Sequence, residues 1–174
     1  VRNRLFLFTK DITDKDLKDK NFAHVKLEVL QDKQDVTNSC EFFHRNSTMD
    51  WHDIGHGVSS TTISGEGWHY FKAKRDNFYE SNISIIRVKD KRIERASSDV
   101  TLFVDKDTIT LGESVNFLTI PEDAKVYEDD KKLDKVHTPQ TTGLHIFHAR
   151  KEKSFSEPIS VYVKEKEDND KKKK

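Results

Sequence analysis

The feature that most constrains this fold is an internal repeat with a period of about 75 residues. Sliding the sequence by that distance lays Gly67-Trp68-His69-Tyr70-Phe71-Lys72-Ala73 over Gly143-Leu144-His145-Ile146-Phe147-His148-Ala149. It also lays Cys40-Glu41-Phe42 over Val115-Asn116-Phe117, and Ile83-Ser84-Ile85 over Ile159-Ser160-Val161. The repeat predicts two copies of one module.

Within each copy apolar and polar residues alternate, most clearly in residues 25–29 and 100–104. A period of two residues is typical of a strand with one buried face. Segment 11–21 is charged nearly all round, so it is predicted to be a linker or at most a helical turn. Turn-forming clusters separate the alternating segments at intervals of about 8 to 12 residues, which favours an antiparallel β-sandwich.

Composition excludes several classes of protein. The 174 residues include 31 basic and 31 acidic ones, so a formal net charge of 0 gives no general attraction to nucleic acid or anionic lipid. The 11 Phe, 4 Tyr and 2 Trp residues argue against disorder. No apolar run approaches the length that crosses a bilayer, and the single cysteine, Cys40, cannot form an internal disulfide. We therefore predict no nucleic-acid partner and no membrane partner.

The second copy carries three phrases in a familiar order: Gly112-Glu113-Ser114-Val115, then Tyr127 before Asp129-Asp130, then Gly143-Leu144-His145-Ile146-Phe147-His148-Ala149. In this it resembles the bacterial and phage immunoglobulin-like modules, and residues 24–89 resemble them in weaker form. The resemblance implies an all-β fold of two tandem immunoglobulin-like β-sandwiches with an extended N-terminal arm. It also implies that His69 and His145 stand where this family usually has its corner tyrosine.

The predicted boundaries follow from the repeat and the charge runs. They are an N-terminal arm at 1–22, a first module at 23–89, a linker at 90–98, a second module at 99–164 and a charged tail at 165–174.

Two groups of residues are candidate interfaces. Alternation places Trp68 and Tyr70 on the solvent face of their strand, with Phe78 and Tyr79 in the turn that follows. Such rings suit another subunit, a sugar or the covering of a neighbouring module. The second group is Leu5-Phe6-Leu7-Phe8, in the arm. The arm is either the remnant of a longer array or a strand that adds to the sheet edge of a partner protein.

Little in the sequence points to catalysis or to a cofactor. His44, His52, Asp53 and His56 offer metal-ligand chemistry, but the glycines among them disfavour the helix that would align a His-x-x-x-His pair. We interpret them as solvated residues of a hairpin loop. Cys40 lacks a neighbouring base and reads as a small buried apolar residue. No catalytic residue, cofactor or metal is predicted, and the chain is not expected to be an enzyme.

The resemblance then implies a function. Immunoglobulin-like modules without a catalytic constellation are display or adhesion elements, and those of tailed-phage virions are made in the host cytoplasm without export. We therefore expect a virion protein, either a capsid decoration or a tail accessory protein, anchored to other virion proteins through residues 1–22. The alternatives are a fragment of a bacterial cell-surface adhesion protein and a module that binds host-surface glycans through Trp68 and Tyr70.

Overall fold

The computed structural model describes residues 4–13, 22–46, 49–76 and 79–167. The chain divides into two compact units, Val1–Arg95 and Ala96–Lys174. Within the described residues the fold is all-β, and its one helical element is the 3-10 turn Thr37–Ser39.

The strands described in the first unit form two sheets. They are β1 (Leu5–Thr13), β2 (Ala23–Gln31), β3 (Gln34–Asp35), β4 (Glu41–Asn46), β5 (His52–His56), β6 (Ser60–Ile63), β7 (Gly67–Arg75), β8 (Tyr79–Glu80), β9 (Ser84–Lys89) and β10 (Arg92–Arg95). One sheet has the order β1-β2-β3, with β6 also paired to β2. The other has the order β10-β9-β7-β4-β5, with β8 paired to β7.

The core of the first unit lies between these two sheets. Both supply inward side chains, among them Val25 and Val29 from β2 and Phe42, Phe71 and Ile86 from the other sheet. Alternation explains this, because β2 buries every second residue from Ala23 to Val29. Two apolar faces packed together are the usual solution for half-buried sheets, and the unit is sandwich-like.

The segment predicted to be an arm outside both modules belongs to the first unit. The prediction was wrong for Leu5–Thr13, because this strand pairs antiparallel with β2 along its length. Leu5 and Leu7 are each 3% exposed and join the core, whereas Phe6 and Phe8 are 48% and 43% exposed. The alternation is that of a strand in its own sheet, so Leu5–Thr13 belongs to the first unit and is not part of a separate arm.

The strands described in the second unit are β11 (Thr101–Val104), β12 (Thr108–Thr110), β13 (Val115–Ile120), β14 (Lys125–Glu128), β15 (Lys131–Leu133), β16 (Val136–His137), β17 (Gly143–Lys151), β18 (Ser154–Phe155) and β19 (Ile159–Lys164). One sheet has the order β11-β13-β16. The other has the order β12-β19-β17-β14-β15, with β18 paired to β17 and β12 running parallel to β19. Val115, Val126, Phe147 and Val161 lie in the core between them.

Strand pairing corrects part of the sequence alignment. Phe42 pairs with Ala73, as Val126 pairs with Ala149, so β4 has the place of β14. The alignment had laid Cys40-Glu41-Phe42 over residues 115–117, which form β13 in the other sheet. A period of two is the same in every strand, so an alignment can slide onto a neighbouring strand without losing its pattern.

A smaller slip affects the last strand, and the predicted linker is also corrected. Phe71 pairs with Ser84, whereas Phe147 pairs with Ile159, so Ser84 has the place of Ile159 rather than of Ser160. Within the predicted linker 90–98, β10 pairs antiparallel with β9 and extends the first unit to Arg95.

Candidate functional site

The second unit carries an apolar outer face on its three-stranded sheet. The side chains of β11, β13 and β16 that point away from the core are Thr101, Phe103, Asn116, Leu118, Ile120 and Val136, and none of them is charged. Phe103 pairs directly with Leu118 across the strands, and Thr101 pairs with Ile120. We call these six residues the outer face of the second unit.

Four of these side chains are large, apolar and exposed. Phe103 is 47% exposed, Leu118 60%, Ile120 56% and Val136 61%. Together they present roughly 400 Å² of apolar surface, which is within the range of the largest patch on a typical monomer. In a chain with 36% charged residues, a sheet face without one charge is a candidate docking surface.

The corresponding face of the first unit is different. Phe6 and Phe8 are exposed there, but Lys10 forms an ion pair with Glu28 on the neighbouring strand, Nζ to Oε1 2.7 Å. Lys26 also points outward from this sheet. Charged side chains interrupt the apolar surface there, whereas the described outer face of the second unit carries none.

The aromatic residues predicted to face solvent are not surface platforms. Trp68 and Tyr70 are each 1% exposed. The guanidinium of Arg87, directly across from Trp68 on β9, lies 4.9 Å from the centroid of the Trp68 ring. Rings buried in this way present no face to a sugar, so the glycan hypothesis is wrong for these two residues. Tyr79 is half-buried against the core of the first unit, and Phe78 lies outside the described residues.

Side chains of the first unit pair with the outward backbone groups of β1, on the edge away from β2. The backbone N–H of Leu7 donates to Asn82 Oδ1 at 2.8 Å, and Asn82 Nδ2 donates to the Leu7 carbonyl at 3.2 Å. The Arg95 guanidinium donates to the Thr9 carbonyl. Because the outward backbone groups at these positions are already paired, β1 does not offer the free edge that strand addition to a partner would require.

A histidine holds the same corner in each unit. His69 Nε2 lies 2.9 Å from the Gly65 carbonyl, and His145 Nε2 lies 2.9 Å from the Thr141 carbonyl. Each ring donates to the backbone four residues earlier. Each imidazole N–H therefore makes a hydrogen bond back to its own chain, the kind of bond that a corner tyrosine makes with its hydroxyl.

The two corner histidines have different partners. His69 Nδ1 lies 3.0 Å from His44 Nε2, whereas His145 Nδ1 lies 2.7 Å from Glu128 Oε2. Since Nε2 of the neutral His69 ring donates to a carbonyl, its Nδ1 accepts a hydrogen bond from the Nε2–H of His44. Nδ1 of His145 faces the Glu128 carboxyl group, and a carboxylate there accepts a hydrogen bond from an Nδ1–H.

Burial lowers the pKa values of His44 and His69 in the first unit. Burial first, and then the neighbouring His69 and His52 rings, lower the pKa of His44 to about 4. Burial also lowers the pKa of His69, opposed by its hydrogen bond to Gly65. Both rings are therefore neutral at pH 7. They form a hydrogen-bonded structural pair in which His69 is buried and His44 is partly buried.

The other histidines of the predicted cluster lie on a strand. His52 and His56 are the two ends of β5, which pairs with β4 through a bulge, so the predicted hairpin loop was wrong. The His44 and His52 rings meet edge to face at 5.2 Å. In the described part of the chain, no three His, Cys, Asp or Glu side chains are placed to share a metal ion.

Cys40 is fully buried in the core of the first unit. Its thiol lies 3.4 Å from the Val36 carbonyl, and burial raises its pKa. A thiol held in the protonated state in an apolar core is a poor nucleophile. This agrees with the interpretation of Cys40 as a small apolar residue.

The outer face of the second unit was not predicted from the sequence, although a signal was present. Residues 116–120 read Asn-Phe-Leu-Thr-Ile, so the alternate positions Leu118 and Ile120 are apolar where a solvated face would be polar. Comparison with protein-family models and with curated proteins finds no match for this chain. In the described residues no helix has the length and apolar character that crossing a membrane requires.

Proposed function

We propose that this chain is a non-enzymatic structural and interaction protein of a phage virion, a capsid decoration or tail accessory protein made of two tandem immunoglobulin-like modules. Strand order supports the two-module arrangement. The path β9-β7-β4-β5 of the first unit matches β19-β17-β14-β15 of the second. The corner histidines, bonded to the backbone in the same way, support it further.

The observation that carries the proposed role is the outer face of the second unit. Burying roughly 400 Å² of apolar surface releases about 10 kcal/mol before the entropy of association is subtracted. A standard protein interface buries roughly 800 Å² on each partner. This patch would supply the apolar centre of such an interface. The partner is expected to be another virion protein with a complementary apolar surface.

The test is association with particles. Virions produced by a strain that encodes the chain are purified on a density gradient, and the chain is quantified in the particle fraction by mass spectrometry. Leu118→Lys combined with Ile120→Lys should reduce its occupancy at least tenfold, because a charge at the centre of an apolar interface is left without a partner.

Tyr162→Lys is the matched control. Tyr162 is 49% exposed and lies in the same unit, but on β19 of the opposite sheet. Its occupancy should equal that of the wild type. Recovery of the wild-type chain only in particle-free fractions would refute the virion role, and equal loss in both variants would refute the role of this face.

A further inference from the structure

The two units differ at one sheet edge. In the first unit the carboxamide of Asn82 bonds both the N–H and the carbonyl of Leu7, at 2.8 and 3.2 Å. A carboxamide that donates and accepts on the same residue does what the backbone of an adjacent strand would do. Asn82 therefore fills the place of an added strand beside β1.

Hydrogen bonds identify the equivalent position in the second unit. Ser81 makes two hydrogen bonds to the backbone of Ala73: its N–H donates to the Ala73 carbonyl at 2.8 Å, and its hydroxyl accepts from the Ala73 N–H at 2.8 Å. Ser156 bonds the backbone of Ala149 in the same two ways, at 2.8 and 2.9 Å. The residue that follows is Asn82 in the first unit and Glu157 in the second. A carboxylate accepts but does not donate, and Pro158 next to it has no N–H, so neither can replace the Asn82 amide.

Leu102 of β11 and Glu157 line the same groove. The N–H of Asp105 donates to the Asn116 carbonyl at 3.1 Å, which fixes the phase of the ladder between β11 and β13. In an antiparallel pair, alternate residues bond inward, so Phe103 and Thr101 bond β13 and Leu102 points its N–H and carbonyl outward. Within the described part of the chain, no group hydrogen bonds to those outward atoms of Leu102.

A groove of about 530 Å³ lies alongside this edge. It is lined by residues of two segments, among them Val100, Thr101 and Leu102 of the first and Ser156, Pro158 and Ile159 of the second. The volume is within the range of pockets that bind small ligands, about 300 to 1,000 Å³. Glu157 is the only charged residue in its lining, so the groove disfavours an acidic ligand.

We propose that this groove binds an extended peptide segment of a partner protein, which adds a strand beside β11 and bonds the outward backbone of Leu102. The ligand class follows from the first unit, where an amide group occupies the equivalent place. This proposal rests on the proposed function of the chain as an interaction protein. It adds a peptide ligand at a second surface of the second unit. Of the six residues of the outer face only Thr101 also lines the groove.

The test uses the full chain, labelled with nitrogen-15, and the peptide acetyl-Lys-Val-Thr-Val-Thr-Lys-amide. Addition of the peptide should shift the Leu102 amide resonance and slow its hydrogen exchange at least tenfold. In the free protein the Leu102 amide should exchange much faster than that of Leu7, which Asn82 protects. A peptide with the same side chains but N-methylated at alternate backbone nitrogens should not bind, because it cannot donate the ladder hydrogen bonds.

Two variants exchange the residues that distinguish the β1 edge from the β11 edge. Glu157→Asn with Pro158→Ile installs the residues found at positions 82 and 83, and should weaken peptide binding at least tenfold. Asn82→Glu should remove the amide that pairs with Leu7, so that addition of the peptide shifts the Leu7 amide resonance as well. An unchanged Leu102 resonance at peptide concentrations up to about 1 mM overturns the proposal, as does equal binding of the N-methylated peptide.

The outer-face variant separates the two proposals. Leu118→Lys with Ile120→Lys should bind the peptide normally, since those side chains do not line the groove. Loss of particle association in that variant, with peptide binding intact, supports both proposals. Normal particle association of the wild type without peptide binding overturns only the groove.

Discussion

Acidification should destabilise the first unit through its neutral histidine pair. At pH 7 the His44 and His69 rings are uncharged and share one hydrogen bond of 3.0 Å. The pKa of His44 falls to about 4 in the folded chain from the ordinary value of 6.5. An unfolded chain therefore takes up this proton at a higher pH than the folded chain does.

The sign and the size follow from proton linkage. Between pH 6.5 and about 4 the unfolded state binds more protons at His44, so the free energy of unfolding decreases as the pH falls. The pKa difference corresponds to at most about 3 kcal/mol, of which about 2 kcal/mol is lost between pH 7 and 4.5. The pKa of His69 is lowered as well, so it acts in the same direction.

Tryptophan fluorescence provides a selective assay. The chain has two tryptophans, Trp51 and Trp68, and both lie in the first unit. Urea denaturation followed by their emission should show a fall in unfolding free energy between pH 7 and 4.5 that is about 2 kcal/mol larger for the wild type than for His44→Gln. Subtracting the variant removes the contribution of carboxylates that titrate in the same range.

The corresponding position of the second unit supplies a stricter variant. Glu128 occupies in the second unit the place that His44 has in the first, so His44→Glu should give Nδ1 of His69 a carboxylate partner, as Nδ1 of His145 has. The acid-induced loss that His44 causes should then disappear. The control is His145→Gln, which lies in the other unit and should leave the fluorescence transition at each pH unchanged. If wild type and His44→Gln show the same pH dependence, the buried neutral pair does not control acid stability.

Three further predictions concern individual contacts. Asn82→Ala should lower the unfolding free energy of the first unit by about 1 to 3 kcal/mol in urea, because the outward N–H and carbonyl of Leu7 lose their partner. The thiol of Cys40 should react with an aromatic disulfide reagent at least a hundredfold more slowly in the native chain than in urea, since it is buried and its pKa is raised. Glu128→Gln should destabilise the second unit by about 1 to 3 kcal/mol by calorimetry, because the charged acceptor of His145 is removed.

The sequence predicted correctly that the chain forms strands, but it did not predict which sheet and which partner each strand has. The alternation in residues 5–8 is that of a half-buried strand, and Leu5 and Leu7 are buried. Pairing with β2 depends on residues some twenty positions away, and a period of two carries no information about the partner strand. The same degeneracy allowed residues 40–42 to be aligned with β13 instead of β14.

The prediction that Trp68 and Tyr70 form an exposed interface was wrong for a related reason. Alternation correctly placed Trp68 and Tyr70 on the face opposite Phe71, but the inference that this face meets solvent was wrong. Residues 67–73 contain four aromatic rings in succession, and a nearly continuous apolar run is typical of a strand buried on both faces. That signal was available. The outer face of the second unit required the structure, since it combines side chains from three strands.

The differences between the units assign them different roles. In the first unit the Asn82 amide and the Arg95 guanidinium close the edge of β1, and an ion pair interrupts its outer face. In the second unit the position of Asn82 is taken by a carboxylate, and the outer face has no charge. Closing an edge prevents pairing with another chain, whereas an open edge beside an apolar face favours it. If both proposals hold, binding therefore resides in the second unit, and Asn82→Glu should add a second peptide site beside β1 of the first.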